Sequence, residues 1–356
     1  MSTLKSIFKL LLKILCIILL LVALFIGYLS ISEYKPAETE AVPVTGTAAG
    51  TLSQGDTIRF ATWNTGYGAL GETADFFMDG GTHVETADEA LVRENMDAIV
   101  DQIHEIDADI LFLQETDRDS SRSHRIDETA LITGSFSDVS WSFASNFLAP
   151  FVPYPVPPIG KVDSGILTVS SYPVSESVRM SLPCPFSWPI RTCNLKRCLL
   201  IDRIPVEGTD KELVAVNLHL EAYDDGAGKI AQTKMLREFL EEDSAKGNFV
   251  IAGGDFNQTF STVDMSAYPV YPDRWQPGTV SAVAFGLNWK LLMDETAPTC
   301  RSLDQPLAGA DTSNFQYYMI DGFIVSSNLK VHSIETFDLG FVNSDHNPVV
   351  MEAELL

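Results

Sequence analysis

From Leu10 to Ile31 the chain is almost wholly apolar. Lys13 is the one charge inside the stretch, and Ile14 to Leu29 is an unbroken run without any. A bilayer-spanning helix needs roughly 20 apolar residues, within about 17–25. The stretch fits if Lys13 snorkels its amine to the interface. Lys5, Lys9 and Lys13 precede the core and Glu33 follows it. The positive-inside rule then predicts a short cytoplasmic segment over 1–9, a transmembrane anchor over 10–31, and everything later outside the cytoplasm. A cleaved signal peptide has the same charged start and apolar middle. The length of the run, and the absence of a small-x-small site in Ser30-Ile31-Ser32-Glu33-Tyr34, favour a retained anchor. Residues 32–57 are rich in Thr, Ala, Pro, Gly and Glu and read as a flexible spacer.

Roughly 300 residues follow, enough for one large α/β domain or two small ones. The formal net charge is -24. Sequence-independent nucleic-acid binding needs basic patches, and none stands out, so nucleic acid is a disfavoured substrate unless a bound metal supplies positive charge locally. Cys16 lies in the apolar run, and Cys184, Cys193, Cys198 and Cys300 lie beyond it. An oxidising compartment would permit disulfides, with Cys184 and Cys193 as a short loop closure. Unpaired buried thiols are the alternative.

From Ile58 short apolar strands alternate with occasional amphipathic helices. Strands are expected at 58–63, 110–113, 165–169, 199–206, 213–218, 249–252, 322–325 and 349–353. Helical spacing runs over about 87–105, through Leu91, Met96, Ile99, Val100 and Ile103, and again over 230–239. Many strands with few helices favour two facing sheets with outer helices over a strictly alternating parallel sheet. The Pro- and aromatic-rich segments 147–158 and 183–189 read as loops. Residues 259–315 read as a long loop region that shapes the substrate site.

Several strands end in polar residues: Trp63-Asn64, Gln114-Glu115, Asn217-Leu218-His219, and Gly254-Asp255-Phe256-Asn257. Ile320-Asp321 opens another strand, and Ser344-Asp345-His346-Asn347 precedes the last. Alone, each is what a turn or cap uses. Together they supply oxygen ligands for a hard cation and bases able to activate water for phosphoryl transfer. His83, His104, His124 and His332 have no such setting.

These segments resemble the ordered motifs of the endonuclease/exonuclease/phosphatase superfamily, which includes pancreatic-type deoxyribonucleases, abasic-site endonucleases, neutral sphingomyelinases and inositol-polyphosphate 5-phosphatases. Gly165-Ile166-Leu167 and Ser171-Tyr172-Pro173 resemble its internal strand and turn. The resemblance spans about 58–356. It implies an α/β fold of four layers, two facing mixed sheets with helices outside, and a phosphoesterase dependent on Mg²⁺ or Mn²⁺. It implies a metal held by Glu115 and Asn64, with Asp345 as a further contact. Asp255 would align or deprotonate the attacking water, and Asn257 would bond a phosphate oxygen. His346, its tautomer fixed by Asp321, would be base or phosphate-binding cation. His219 would stabilise the transition state or protonate the leaving oxygen. Phe256 points the other way, into the core. Arg118, Asp119 and Arg122, just after Glu115, either reach substrate or form a solvated loop, the reading that exposure of charged residues favours. Lys196-Arg197 is an edge-strand guard or a phosphate contact.

Tether and aromatic loops favour a phosphodiesterase acting on a lipid headgroup at the outer membrane surface. The alternatives are an extracellular nuclease, a phosphomonoesterase, and a non-catalytic module of the same fold.

Overall fold

The computed structural model describes residues 2–356. It begins with helix α1, Ser2–Ile31. Thr3–Ile31 is long and apolar enough to cross a membrane, by length and composition. Strand β1 is Thr57–Asn64, helix α2 Glu89–Ile106 and β2 Ile110–Asp117. Helix α3 is Glu128–Gly134, followed by β3 (Ser140–Val152), β4 (Gly160–Ser170) and β5 (Glu176–Ser181). Then come β6 (Cys198–Glu207), β7 (Glu212–His219), α4 (Ala227–Ala245) and β8 (Phe249–Asp255). The chain ends with β9 (Trp289–Leu292), β10 (Asp321–Ser326), β11 (Leu329–Thr336) and β12 (Val349–Leu355).

Among the described residues the strands form two large mixed sheets. One runs β11-β12-β1-β2-β4-β3 and the other β5-β6-β7-β8-β10-β9, each extended by short N-terminal strands. Strand parity explains the layering, since successive side chains point to opposite faces. Ile58, Phe60, Ile110 and Phe112 of one sheet meet Leu213, Ala215, Phe249, Ile251, Phe323 and Val325 of the other in a core between the sheets. The alternate residues Ala61, Trp63, Leu111 and Leu113 pack on α2 through Val92, Met96, Ile99 and Ile103. Val214, Val216, Val250 and Ala252 pack on α4 through Leu236 and Leu240. Both faces of these strands are buried, so they read as continuous apolar runs. The result is the expected four-layer sandwich. Asp88 fixes the start of α2 by accepting from the Leu91 N–H at 2.9 Å.

Three expectations need correction. Residues 32–57 are not a free spacer. Thr39–Ala41 pairs with β5, Thr45–Gly46 with β3 and Leu52–Ser53 with β6, because sheet edges carry unpaired backbone groups that capture a passing strand. Residues 147–158 are not all loop. Phe147–Val152 continues β3, and Pro150 falls in a bulge between Ala149 and Val152, where no ladder N–H is required of it. All four cysteines beyond α1 are free thiols, Cys184 and Cys193 included. Residues 183–189 form no helix or strand, and 259–315 holds only short elements.

Candidate active site

The same parity that builds the core carries polar side chains into the gap where the strands end. Asn64, Gln114, Asn217, His219, Asp255 and Asp321 are in phase with the core-facing residues of their strands. Register sets His219 of β7 beside Asp255 of β8, and Asp255 beside Asp321 of β10. Across the gap, Asn64 pairs with Gln114. The β7–β8 pairing needs Gly254, because a Cβ there would lie 2.0 Å from the Leu218 carbonyl oxygen. Phe256, one residue out of phase with Asp255, is fully buried in the α4-side core as expected.

Glu115 is out of phase and reaches the site by another route. Gln114 and Glu115 together oppose one residue of β4, a bulge between Leu113 and Thr116. Glu115 takes a left-handed φ of 55° there. A bulge re-aims a side chain at the cost of local backbone strain. Gln114 stays between the sheets and donates to Asn217 Oδ1 at 2.9 Å. Asn217 in turn donates to the Leu167 carbonyl at 2.9 Å. This buried amide pair ties the two sheets together directly beneath the site.

Asp255 Oδ2 is the hub of the cluster. Asn64 Nδ2 donates to it at 3.1 Å, His219 Nε2 lies 3.4 Å away and His346 Nε2 3.9 Å away. Its other oxygen accepts from the Asn257 N–H at 2.8 Å. His346 Nδ1 bonds Asp321 Oδ2 at 2.9 Å, and its backbone carbonyl accepts from Trp63 Nε1 at 2.9 Å. Ser344 Oγ donates to the Asn64 carbonyl at 2.9 Å, which pins the Ser344-Asp345-His346 segment to the end of β1. Glu115 Oε1 is 3.4 Å from Asn64 Nδ2 and 3.9 Å from His219 Nε2. The Asn64 oxygen accepts from the Gly66 N–H at 3.0 Å, so ligation through that oxygen would need the amide to turn over.

Crowding of like charges governs the electrostatics. Burial, and then the Asp321 carboxylate, raise the pKa of Asp255. Burial pushes Asp345 up to about 6, with Glu115 adding to the effect. Burial works against a charged His346, but the Asp321 carboxylate overrides it, and the pKa rises well above the usual imidazole value. His219 is lowered well below that value by burial, then by Arg197 and His346. Asp321 Oδ1, Asp345 Oδ1 and His219 Nδ1 are buried without a hydrogen-bond partner. Asp255, Asp321 and His346 offer ligand atoms within 4.8 Å of one another, as do Cys300, Asp345 and His346. Converging carboxylates with orphaned oxygens are what a hard divalent cation satisfies; of the residues that the resemblance assigns to it, Asp345 belongs to one of these groups and has an orphaned oxygen, and Glu115 and Asn64 belong to neither.

The cluster forms the floor of a cleft of about 690 Å³, within the usual range of about 300–1,000 Å³ for ligand sites. Several lining residues were not legible as such. Arg122, read as solvated, stacks 3.6 Å from the Tyr67 ring centroid and pairs with buried Asp117 at 3.0 Å. Arg197 donates to the His219 carbonyl at 3.1 Å and lies 3.4 Å from Glu221. Tyr223 donates to Asp79 at 3.2 Å across the mouth. Burial, then Asp345, push Asp79 up to about 7. Arg122 and Arg197 each carried two alternative readings in the sequence, a substrate contact or a surface charge, whereas Asp79 and Tyr223 carried no such signal.

A two-sheet sandwich with carboxylates, amides and paired imidazoles at its strand ends defines a phosphoesterase-type site. The chain belongs to the endonuclease/exonuclease/phosphatase family, whose sequence model matches residues 61–346. Members of the family are generally divalent-metal-dependent hydrolases of phosphodiester bonds. No curated protein matches the sequence. Among solved structures, the fold is similar to a family member from Beutenbergia cavernae, at TM-score 0.54 and 16% identity over 84% of this chain and 72% of that one. A member from Bacteroides vulgatus aligns at TM-score 0.53 and 16% identity, over 85% of this chain and 100% of that one. The human nocturnin catalytic domain with bound sulfate aligns at TM-score 0.51 and 16% identity, over 88% and 97%.

Proposed function

We propose that the chain is a membrane-anchored phosphodiesterase, N-terminus in the cytoplasm and catalytic domain outside, that uses Mg²⁺ or Mn²⁺ to hydrolyse a phospholipid headgroup or a related phosphodiester. The observation that carries this reading is the cleft, whose polar floor holds the strand-end cluster and whose walls include Phe147, Val152, Ile159 and Phe76. The arginines that line it, Arg122, Arg197 and Arg301, are held by Asp117, Glu221 and the Gly71 carbonyl, whereas a nucleic-acid groove presents its cations to the phosphates.

Glu115 and Asp345, with Asn64, would hold the cation, which when bound stabilises charge on the phosphoryl oxygens. Asp255, held by Asn64 and Asn257, aligns the attacking water and takes its proton. Asn257 Nδ2 gives one N–H to the Leu220 carbonyl at 3.0 Å and has a second for a phosphate oxygen. Asp321 fixes His346 so that Nε2 faces the same carboxylate as His219. The two imidazoles thus flank the reacting group, one binding phosphate and one returning a proton to the leaving oxygen.

The test is hydrolysis by the purified full-length protein of sphingomyelin, phosphatidylinositol phosphates, plasmid DNA and nucleotides, with Mg²⁺ and with chelator. The expected result is metal-dependent lipid cleavage, abolished in Glu115→Ala with its circular dichroism unchanged. Cleavage of DNA without cleavage of lipid overturns the reading.

A further inference from the structure

We infer that the last turns of α1 are one wall of a hydrocarbon-binding channel, and that the substrate carries a long acyl or alkyl chain entering sideways from the membrane that α1 crosses. This rests on the phosphodiesterase reading for what happens at the floor, but not for the channel itself.

Ile26 and Leu29 line the same cavity as Glu115 and His346. Leu29 is 6% exposed and Ile26 half-buried, whereas the apolar residues of α1 before Ile26 are open to their surroundings. Between helix and floor the wall is continued by Phe147, Val152 and Ile159.

The contact between helix and domain is built, not grazing. Phe25 meets Phe151 edge-on at 6.2 Å. Trp188 Nε1 donates to Ser30 Oγ at 3.0 Å. The Glu33 carboxylate, 5% exposed, lies 3.3 Å from Lys196 Nζ and 3.4 Å from Arg191 Nε. A leash that only kept the domain near the surface would need none of these.

Depth supports the same placement. A helix of 30 residues is about 45 Å long, and the hydrocarbon core is about 30 Å thick. With the lysine-bearing first turns at the inner interface, Ile26 and Leu29 fall at the outer edge of the hydrocarbon. Trp188, which meets Ser30 of α1, and Tyr154, which lines the same cleft, are exposed, and Trp and Tyr are the residue types that settle at a membrane interface.

The occupant follows from the physics of lifting a lipid. Its phosphodiester must rise out of the leaflet to reach Asp255, and hydrocarbon drawn with it into water costs a factor of about four per methylene. An apolar wall continuous from the bilayer to the floor removes that cost. A soluble nucleotide or sugar phosphate has no chain to place there.

Two measurements on the full-length protein test this. First, kcat/KM is measured for monomeric phosphodiesters with chains of two to eight carbons, kept below their critical micelle concentrations. It should rise about fourfold per methylene. In Leu29→Trp and Val152→Trp the ratio of eight-carbon to two-carbon rates should fall at least tenfold. Second, in nanodiscs with chelator present, phospholipid brominated at the chain carbons next to the headgroup should quench a component of tryptophan fluorescence that is absent in Trp275→Phe, since Trp275 lines the cleft and packs on Tyr318 near the floor. Rates independent of chain length, or no quenching of Trp275, overturn the channel. Quenching without hydrolysis of any diester would support the channel and sink the phosphodiesterase reading instead.

Discussion

The floor and the wall of this one cleft are built by different means. The floor comes from strand ends, where register and a period of two decide which side chain faces which. His219, Asp255 and Asp321 lie in one row because β7, β8 and β10 are paired in one register. The wall comes from the end of α1, from the far end of β3 through Phe147 and Val152, and from the loops around Ile159 and Ile190. Chemistry that tolerates errors of well under an ångström sits on rigid strands. Recognition of a chain, as proposed above, needs only apolar surface, which a strand end, a helix end and loops can supply together.

The largest effects should come from the floor. His346→Ala should lower kcat by about 10²–10⁴-fold, the usual contribution of a positioned acid or base. Asp321→Asn keeps the shape but no longer selects the Nδ1–H tautomer, so it should cost nearly as much. The double variant should be no worse than the poorer single one, because the two act as a unit. Steady-state kinetics on a soluble diester decide this. Additive losses would mean that Asp321 works separately from His346, and the floor would not be the single device described above.

A smaller effect should come from the joint between helix and domain. Glu33→Gln removes the charge facing Lys196 and Arg191 and loosens the angle of α1, which Phe25–Phe151 and Trp188–Ser30 still hold in part. Arg191 is half exposed, so the stability cost should be only about 1 kcal/mol. The ratio of bilayer to soluble-diester hydrolysis should nevertheless fall about tenfold, a shift in the helix costing more in alignment than in stability. Equal rates in both assays would show that the clasp has no part in substrate delivery and would blur the contrast between wall and floor.

The floor was far more legible in the sequence than the wall. Apolar runs ending in Asn64, Gln114-Glu115, His219 and Asp255 announce both the strands and what they carry. Parity even predicts that Phe256 turns away from Asp255. What parity cannot foresee is the bulge at Gln114-Glu115, since an extra residue in a ladder depends on the partner strand. The docking of 39–53 on sheet edges was hidden for a related reason: short polar strands draw their pairing from the edge they meet, not from their own composition. Arg122 and Arg197 were visible as alternatives for substrate contact, but their burial was not, because a buried guanidinium is betrayed only by its partners, here Asp117 and Glu221, and neither acid is marked as a partner by its place in the chain.

The smallest effect tests the wall from outside the cleft. Val156 is 94% exposed at the tip of the loop between β3 and β4 and does not line the cavity. If that tip rests in the interface, burying the side chain contributes about 1 kcal/mol, and a charge in its place forfeits it. Val156→Asp should therefore raise the apparent KM for vesicle substrate roughly fivefold and leave the soluble diester untouched. Val156→Trp should move the vesicle value the other way, because an indole favours the interface. A Val156→Asp protein indistinguishable from the parent on vesicles would place the β3–β4 tip in water. The bilayer would then meet the domain through α1 alone, and the apolar wall would begin at Leu29 with no loop beside it in the membrane.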